Sequence, residues 1–93
     1  MLNAVLTEKV TIGNKMGLHA RPAAKLASIA GGFSSALKLK NSNGSEADCR
    51  SVLAMLMLAA CKDTDLILRG CGDDAVDAVE LIAGYFERNF DEN

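Results

Sequence analysis

The sequence predicts an α+β fold with element order β-α-β-β-α-β-α, in which two helical crossovers suggest one sheet with its helices packed on one face. Three observations carry that prediction. Short alternating segments such as Ala36-Leu37-Lys38-Leu39-Lys40 have the period of a strand with one wet face. Longer segments after Ala20 and after Asp74 have apolar residues at helical spacing. Glycine and asparagine clusters punctuate the chain between them.

The elements follow in order. Val5 to Ile12 mixes β-branched and polar residues, with Val10 and Ile12 flanking Thr11, and reads as the first strand. Gly13-Asn14-Lys15-Met16-Gly17 breaks it. Ala23, Leu26, Ala27 and Ala30 share one helical face, and Gly31-Gly32 is expected to stop that helix in a left-handed terminal conformation. After the strand Ala36 to Lys40, Asn41-Ser42-Asn43-Gly44 is a strong turn signal, and Ser45 to Cys49 would pair back as a weak edge strand. Ser51 opens the apolar run Val52 to Leu58. Its good helix formers behind a capping residue favour a short helix. Asp63-Thr64-Asp65 is a turn, and Leu66 to Leu68 a strand expected to end at Gly70 and Gly72. Asp73-Asp74 then begin a helix whose face is Ala75, Ala78, Val79, Ile82, Tyr85 and Phe86, with acids at the end that suits its dipole.

Composition narrows the function. The chain has 93 residues, enough for a single domain, 1–93, and too few for two. A 49% apolar, 24% charged composition with one Pro should fold without staples. The net charge of −2 gives no footprint for nucleic acid or an anionic membrane. So short a chain also has little material for a deep substrate pocket, so a stand-alone enzyme is not expected. Cys49, Cys61 and Cys71 are odd in number and widely spaced, far in sequence from the only histidine. They form neither a zinc pattern nor a disulfide framework, so no metal is expected and the thiols read as free in a reducing compartment. The start, Met1 to Lys9, lacks the basic and long apolar regions of a signal peptide, and Val52 to Cys61 is too short to cross a membrane. The expected location is the cytoplasm, without membrane insertion.

One segment carries chemistry: Gly17-Leu18-His19-Ala20-Arg21-Pro22-Ala23. Proline is tolerated in a first helical turn, which sets His19 at or beside the N-cap with the N–H groups of Ala20 and Arg21 unpaired. Such a terminus binds phosphate or another anion, and its field disfavours a cationic imidazole. Arg21 adds a planar fork for two phosphoryl oxygens, and Gly17 permits a sharp turn. The arrangement is that of a histidine able to accept a phosphoryl group. The spacing alone fits a surface histidine that only precedes a helix more readily, since a lone histidine needs no special explanation.

Gly17 to Ala23 resembles the active-site signature of the histidine-containing phosphocarrier proteins, the HPr family of the phosphoenolpyruvate phosphotransferase system. The resemblance extends to Gly32-Phe33, to Asn43-Gly44 and to Arg50-Ser51-Val52-Leu53. It implies an open-faced sandwich, a four-stranded antiparallel sheet with three helices on one face. It implies that His19 is phosphorylated through Nδ1 by the phosphohistidine of enzyme I, a phosphoenolpyruvate-protein phosphotransferase, and hands the group to an enzyme IIA-type acceptor without a cofactor. Arg21 would neutralise the phosphoryl group, with the backbone of Ala20 and Arg21 beside it. Such a carrier turns nothing over alone. A serine at the position of Ser51 is, in part of the family, phosphorylated by an HPr kinase/phosphorylase. Physically Ser51 needs only to cap its helix.

Two branches fit, sugar-transport carriers and nitrogen-related carriers of the NPr type. Asn14 to His19, Ser51 to Leu58 and the acidic tail Phe90-Asp91-Glu92-Asn93 resemble the second. Many sugar carriers present lysines around the first two helices. Here Ser28, Gly31 and Ala54 stand there, and only Lys25 and Arg50 are basic, which weakens steering toward acidic acceptors. A third reading, a non-catalytic binding module of the same fold, conflicts with the retained histidine. Docking is expected through Leu18, Val52, Leu53 and Leu56, with Met55 and Leu58 on the opposite, inward side.

Overall fold

The computed structural model describes residues 5–92; Met1–Ala4, the start of the segment read as lacking a leader, and Asn93 of the acidic tail lie outside them. The strands are β1 (Val5–Thr11), β2 (Ala36–Lys40), β3 (Glu46–Asp48) and β4 (Asp65–Cys71). The helices are α1 (Ala20–Gly31), α2 (Val52–Met57) and α3 (Ala75–Glu87), followed by a short turn at Asn89–Asp91. All pairings are antiparallel and the spatial order is β1-β4-β2-β3, which places the last strand in the middle. Lys38, for instance, stands between Asp48 and Arg69.

Alternation decides which face is covered. Leu37 and Leu39 of β2, Ala47 of β3, and Leu66 and Leu68 of β4 are buried, while their neighbours Lys38, Lys40, Asp65, Ile67 and Arg69 are exposed. The three helices close the apolar face. Leu26 of α1, Met55 of α2 and Ile82 and Phe86 of α3 are buried at 2% exposure or less against it. Each large aliphatic side chain fully buried there stabilises the fold by about 1.5–3 kcal/mol.

Three expectations need correction. β4 does not stop at Gly70 but runs through it to Cys71. A Cβ on Gly70 would lie 2.7 Å from Val79 Cγ2, so this glycine lets α3 approach the sheet rather than ending a strand. Gly32 closes α1 without a left-handed residue, at φ −83°. There the last turn tightens into three-residue bonds, Gly32 N–H to the Ile29 carbonyl at 3.0 Å and Phe33 N–H to Ala30 at 3.1 Å. Finally, Ile12 is not in β1. It is fully buried one residue beyond it, tied by backbone bonds to Thr64 (3.0 Å) and Asp63 (2.7 Å).

Ser34, Ser35 and Asp74 fasten the far end of α1 to the start of α3. Both serines donate backbone N–H groups (2.9 Å each) and hydroxyls to the Asp74 carboxylate. These bonds, the Ser35 hydroxyl first, hold the Asp74 pKa down at about 2.

Candidate functional site

The loop from β1 to α1 is shaped by two residues that cannot be exchanged freely. Gly17 has φ +68°, and a Cβ there would sit 2.5 Å from the Ala60 carbonyl oxygen. Only glycine fits both the conformation and the space. Asn14 is fully buried and donates from Nδ2 to the Gly17 carbonyl (2.8 Å), holding the loop from within. Leu18 N–H donates to the Ala60 carbonyl at 3.0 Å, which fixes the loop alongside the chain leaving α2.

His19 is the N-cap of α1, with extended backbone (φ −90°, ψ −173°), and its carbonyl accepts the first helical bond from Ala23 N–H (3.1 Å). Its side chain does not cap the helix. Pro22 is the third helical residue and has no N–H to offer. The open donors of the terminus are therefore the amides of Ala20 and Arg21. Among the described residues, no hydrogen bond engages either. Arg21 is exposed and Pro22 buried, so the proline anchors the turn and the arginine stays free to swing toward an anion.

The imidazole is held from one side. His19 Nε2 lies 2.8 Å from Glu92 Oε1, and Asn14 Nδ2 donates to the same oxygen at 2.6 Å. An ionised carboxylate only accepts, so Nε2 carries a proton, and in the neutral ring Nδ1 keeps its lone pair. The His19 bond is also the main reason that the Glu92 carboxyl titrates below its usual range. Nδ1 has no hydrogen-bond partner among the described residues. Lys15, Met16, His19, Ala20, Arg21 and Glu92 border one cavity of about 540 Å³.

Glu92 arrives through an unusual backbone. Asn89, Phe90 and Asp91 all have positive φ (55°, 58° and 57°), a conformation that Asn and Asp tolerate but that costs a phenylalanine about 1–2 kcal/mol. Phe90 offsets that cost. It is 4% exposed, with its ring centroid 5.2 Å from that of Tyr85 and 4.9 Å from that of Phe86.

The residues expected to dock a partner separate in the structure. Leu53 is 70% exposed and Leu56 is at the edge of exposure, while Met55 and Leu58 are buried as expected. Val52 is half-buried against the core. Leu18 is a correction: at 5% exposure it belongs to the core, because its backbone bond to Ala60 turns the side chain inward. Met16 and Met57, at 71% and 76% exposure, are the most exposed large apolar side chains among the described residues, and sequence reasoning did not pick them out. Ser51 caps α2, its Oγ accepting from Ala54 N–H at 3.0 Å. Asn14 and Glu92 were also missed as site residues. Asn14 read as a loop breaker and as part of the branch resemblance, not as a partner of the histidine, and no spacing links Glu92 to a histidine across the length of the chain.

Residues 6–88 match the profile of the PTS-HPr family, described as the PTS HPr component phosphorylation site. The chain belongs to the HPr family. It is 40% identical to the phosphocarrier protein NPr of Proteus mirabilis (strain HI4320) over 91% of this chain and 94% of the relative. It is 42% identical to the phosphocarrier protein HPr of Pseudomonas putida over 85% of this chain and 92% of that one. The HPr-C-His structure from Thermoanaerobacter tengcongensis superposes with a TM-score of 0.88 at 30% identity, covering 95% of this chain and 98% of that one. The open-faced sandwich expected from the HPr resemblance is thus the observed fold. Among the described residues no helix is long and apolar enough to cross a membrane.

Proposed function

We propose that this chain, acting as a single cytoplasmic carrier domain, accepts a phosphoryl group on His19 Nδ1 from a phosphorylated enzyme I-type protein. It then passes the group to a histidine of an enzyme IIA-type acceptor. The observation that carries this reading is the state of the α1 N-terminus. Among the described residues, Nδ1 and the amides of Ala20 and Arg21 have no hydrogen-bond partner, and the exposed Arg21 side chain stands on the same turn. Phosphoryl transfer needs positioning and charge stabilisation more than covalent chemistry, and these groups supply both.

The nitrogen-related branch is favoured by the NPr-named relatives and by a docking face poor in positive charge. Of its two basic residues, Arg50 is occupied in bracing the carbonyls of Phe33 and Ser35, which leaves Lys25. The 42% identity to the Pseudomonas putida HPr favours the sugar-transport branch as the second reading. Docking through Leu53, Leu56 and the exposed edge of Val52 suits either. Ser51 stands at the rim of that surface, where a phosphate would have to be desolvated by an apolar partner.

The test is incubation with phosphoenolpyruvate and either a nitrogen-type or a sugar-type enzyme I, read by intact mass. One phosphoryl group should be gained, acid-labile and base-stable, faster with the nitrogen-type enzyme, and none in His19→Ala. Label retained in His19→Ala would refute the assignment.

A further inference from the structure

We propose that Glu92, delivered by the left-handed turn Asn89–Asp91, is a positioning residue that fixes the His19 tautomer and keeps its proton on Nε2 while the phosphoryl group comes and goes. The inference rests on the carrier reading for its chemistry, and on independent geometry for its structure. One carboxylate oxygen, Glu92 Oε1, meets two donors, His19 Nε2 at 2.8 Å and Asn14 Nδ2 at 2.6 Å. Asn14 is fully buried and bonds the Gly17 carbonyl as well, so the carboxylate is tied to the loop that carries the histidine. The carboxyl and the imidazole are each less than one-quarter exposed, which strengthens their attraction relative to a surface pair. Three consecutive positive-φ residues are held in place by a buried phenylalanine, and the residue that emerges from them is Glu92.

The chemistry follows from where the proton sits. The Nδ1 lone pair forms the new N–P bond as the P–N bond to the donor's histidine breaks, its electron pair returning to the donor's ring. The receiving ring, with Nε2–H intact, becomes cationic, and Glu92 faces that cation with the one carboxylate that borders the cavity among the described residues. Lys15 and Arg21 border the same cavity and face the phosphoryl group's charge instead. In the onward step the N–P pair returns to Nδ1 and the leaving group is a neutral imidazole. Had Nε2 lost its proton, the leaving group would be an imidazolate, a far poorer one. Orienting a histidine through its second nitrogen is a general use of a carboxylate partner.

The experiment compares Glu92→Ala with Glu92→Gln. An amide oxygen still accepts from Nε2–H but carries no charge, so Glu92→Gln should keep the tautomer that Glu92→Ala releases. Nitrogen NMR of the unphosphorylated imidazole is the first measurement. Wild type and Glu92→Gln should show the proton on Nε2 alone, and Glu92→Ala an exchanging mixture. This arm involves no enzyme I, so it stands or falls separately from the carrier reading. The second measurement is onward transfer from the phosphorylated chain to a histidine acceptor, expected to fall about tenfold or more in Glu92→Ala and less in Glu92→Gln. An unchanged tautomer in Glu92→Ala would overturn the proposal. So would an altered tautomer with wild-type transfer, since Glu92 would then orient the ring without consequence.

Discussion

The N-termini of α1 and α2 are the same structural element with the cap side chain put to different uses. At α2, Ser51 Oγ accepts from Ala54 N–H, the third helical amide, while the amides of Val52 and Leu53, like those of Ala20 and Arg21 in α1, have no partner among the described residues. At α1 the third helical residue is Pro22, which has no such amide, and the cap residue His19 turns its ring away to Glu92. One cap side chain stabilises its own helix. The other leaves its helix uncapped and holds a ring nitrogen, Nδ1, that has no hydrogen-bond partner among the described residues. A helix end whose donors are not satisfied within the fold is a place where an anion can be held.

That contrast can be broken or sharpened by substitution, beginning with the largest effect. Arg21→Ala should fold normally yet accept the phosphoryl group about 10–1,000-fold more slowly in a rapid-quench assay, the usual loss when a preorganised donor is removed from developing charge. Wild-type rates would mean that the two amides suffice.

Leu58→Ala should destabilise by about 2–5 kcal/mol in urea unfolding, because its side chain is buried under α2. Leu53→Ala, at 70% exposure, should change stability by less than about 0.5 kcal/mol but slow transfer between proteins. Equal destabilisation with intact transfer would show that the outer face of α2 is not a docking surface.

Ser51→Ala should cost about 1 kcal/mol of stability by loss of the cap, with transfer unchanged. Ser51→Asp can still cap, so it should keep the fold. If the rim of the apolar surface is used in docking, its charge slows transfer from enzyme I. Equal transfer in both would leave Ser51 as a cap alone.

The smallest effect lies at the opposite end of α1. Asp74 titrates at about 2 in the folded chain, below the roughly 3.9 of an unfolded aspartate. A depressed folded value stabilises fully above about pH 4 and fades as pH falls toward 2. Stability measured over that range should therefore decline less steeply in Asp74→Ala than in the wild type. An unchanged slope would assign the acid sensitivity to other carboxylates.

Much of this was legible in the chain itself. The alternation in Ala36–Lys40 and the helical spacing after Ala20 and Asp74 are local, because a side chain's direction follows from its own backbone period. The lone histidine before Ala-Arg-Pro was equally visible, since capping and proline placement act within one turn. Gly70 was misread because a glycine's reason for being there was a helix packed against it, not a turn beside it. Leu18 was misplaced for the same kind of reason, a backbone bond to Ala60 far along the chain. The sequence by itself determined the elements, their order and the placement of the lone histidine at the start of α1. Only the tertiary structure decided that β4 lies between β1 and β2, and that Glu92 and Asn14 meet at His19. Contacts between residues separated by most of the chain depend on how the core packs, and no local periodicity records that packing.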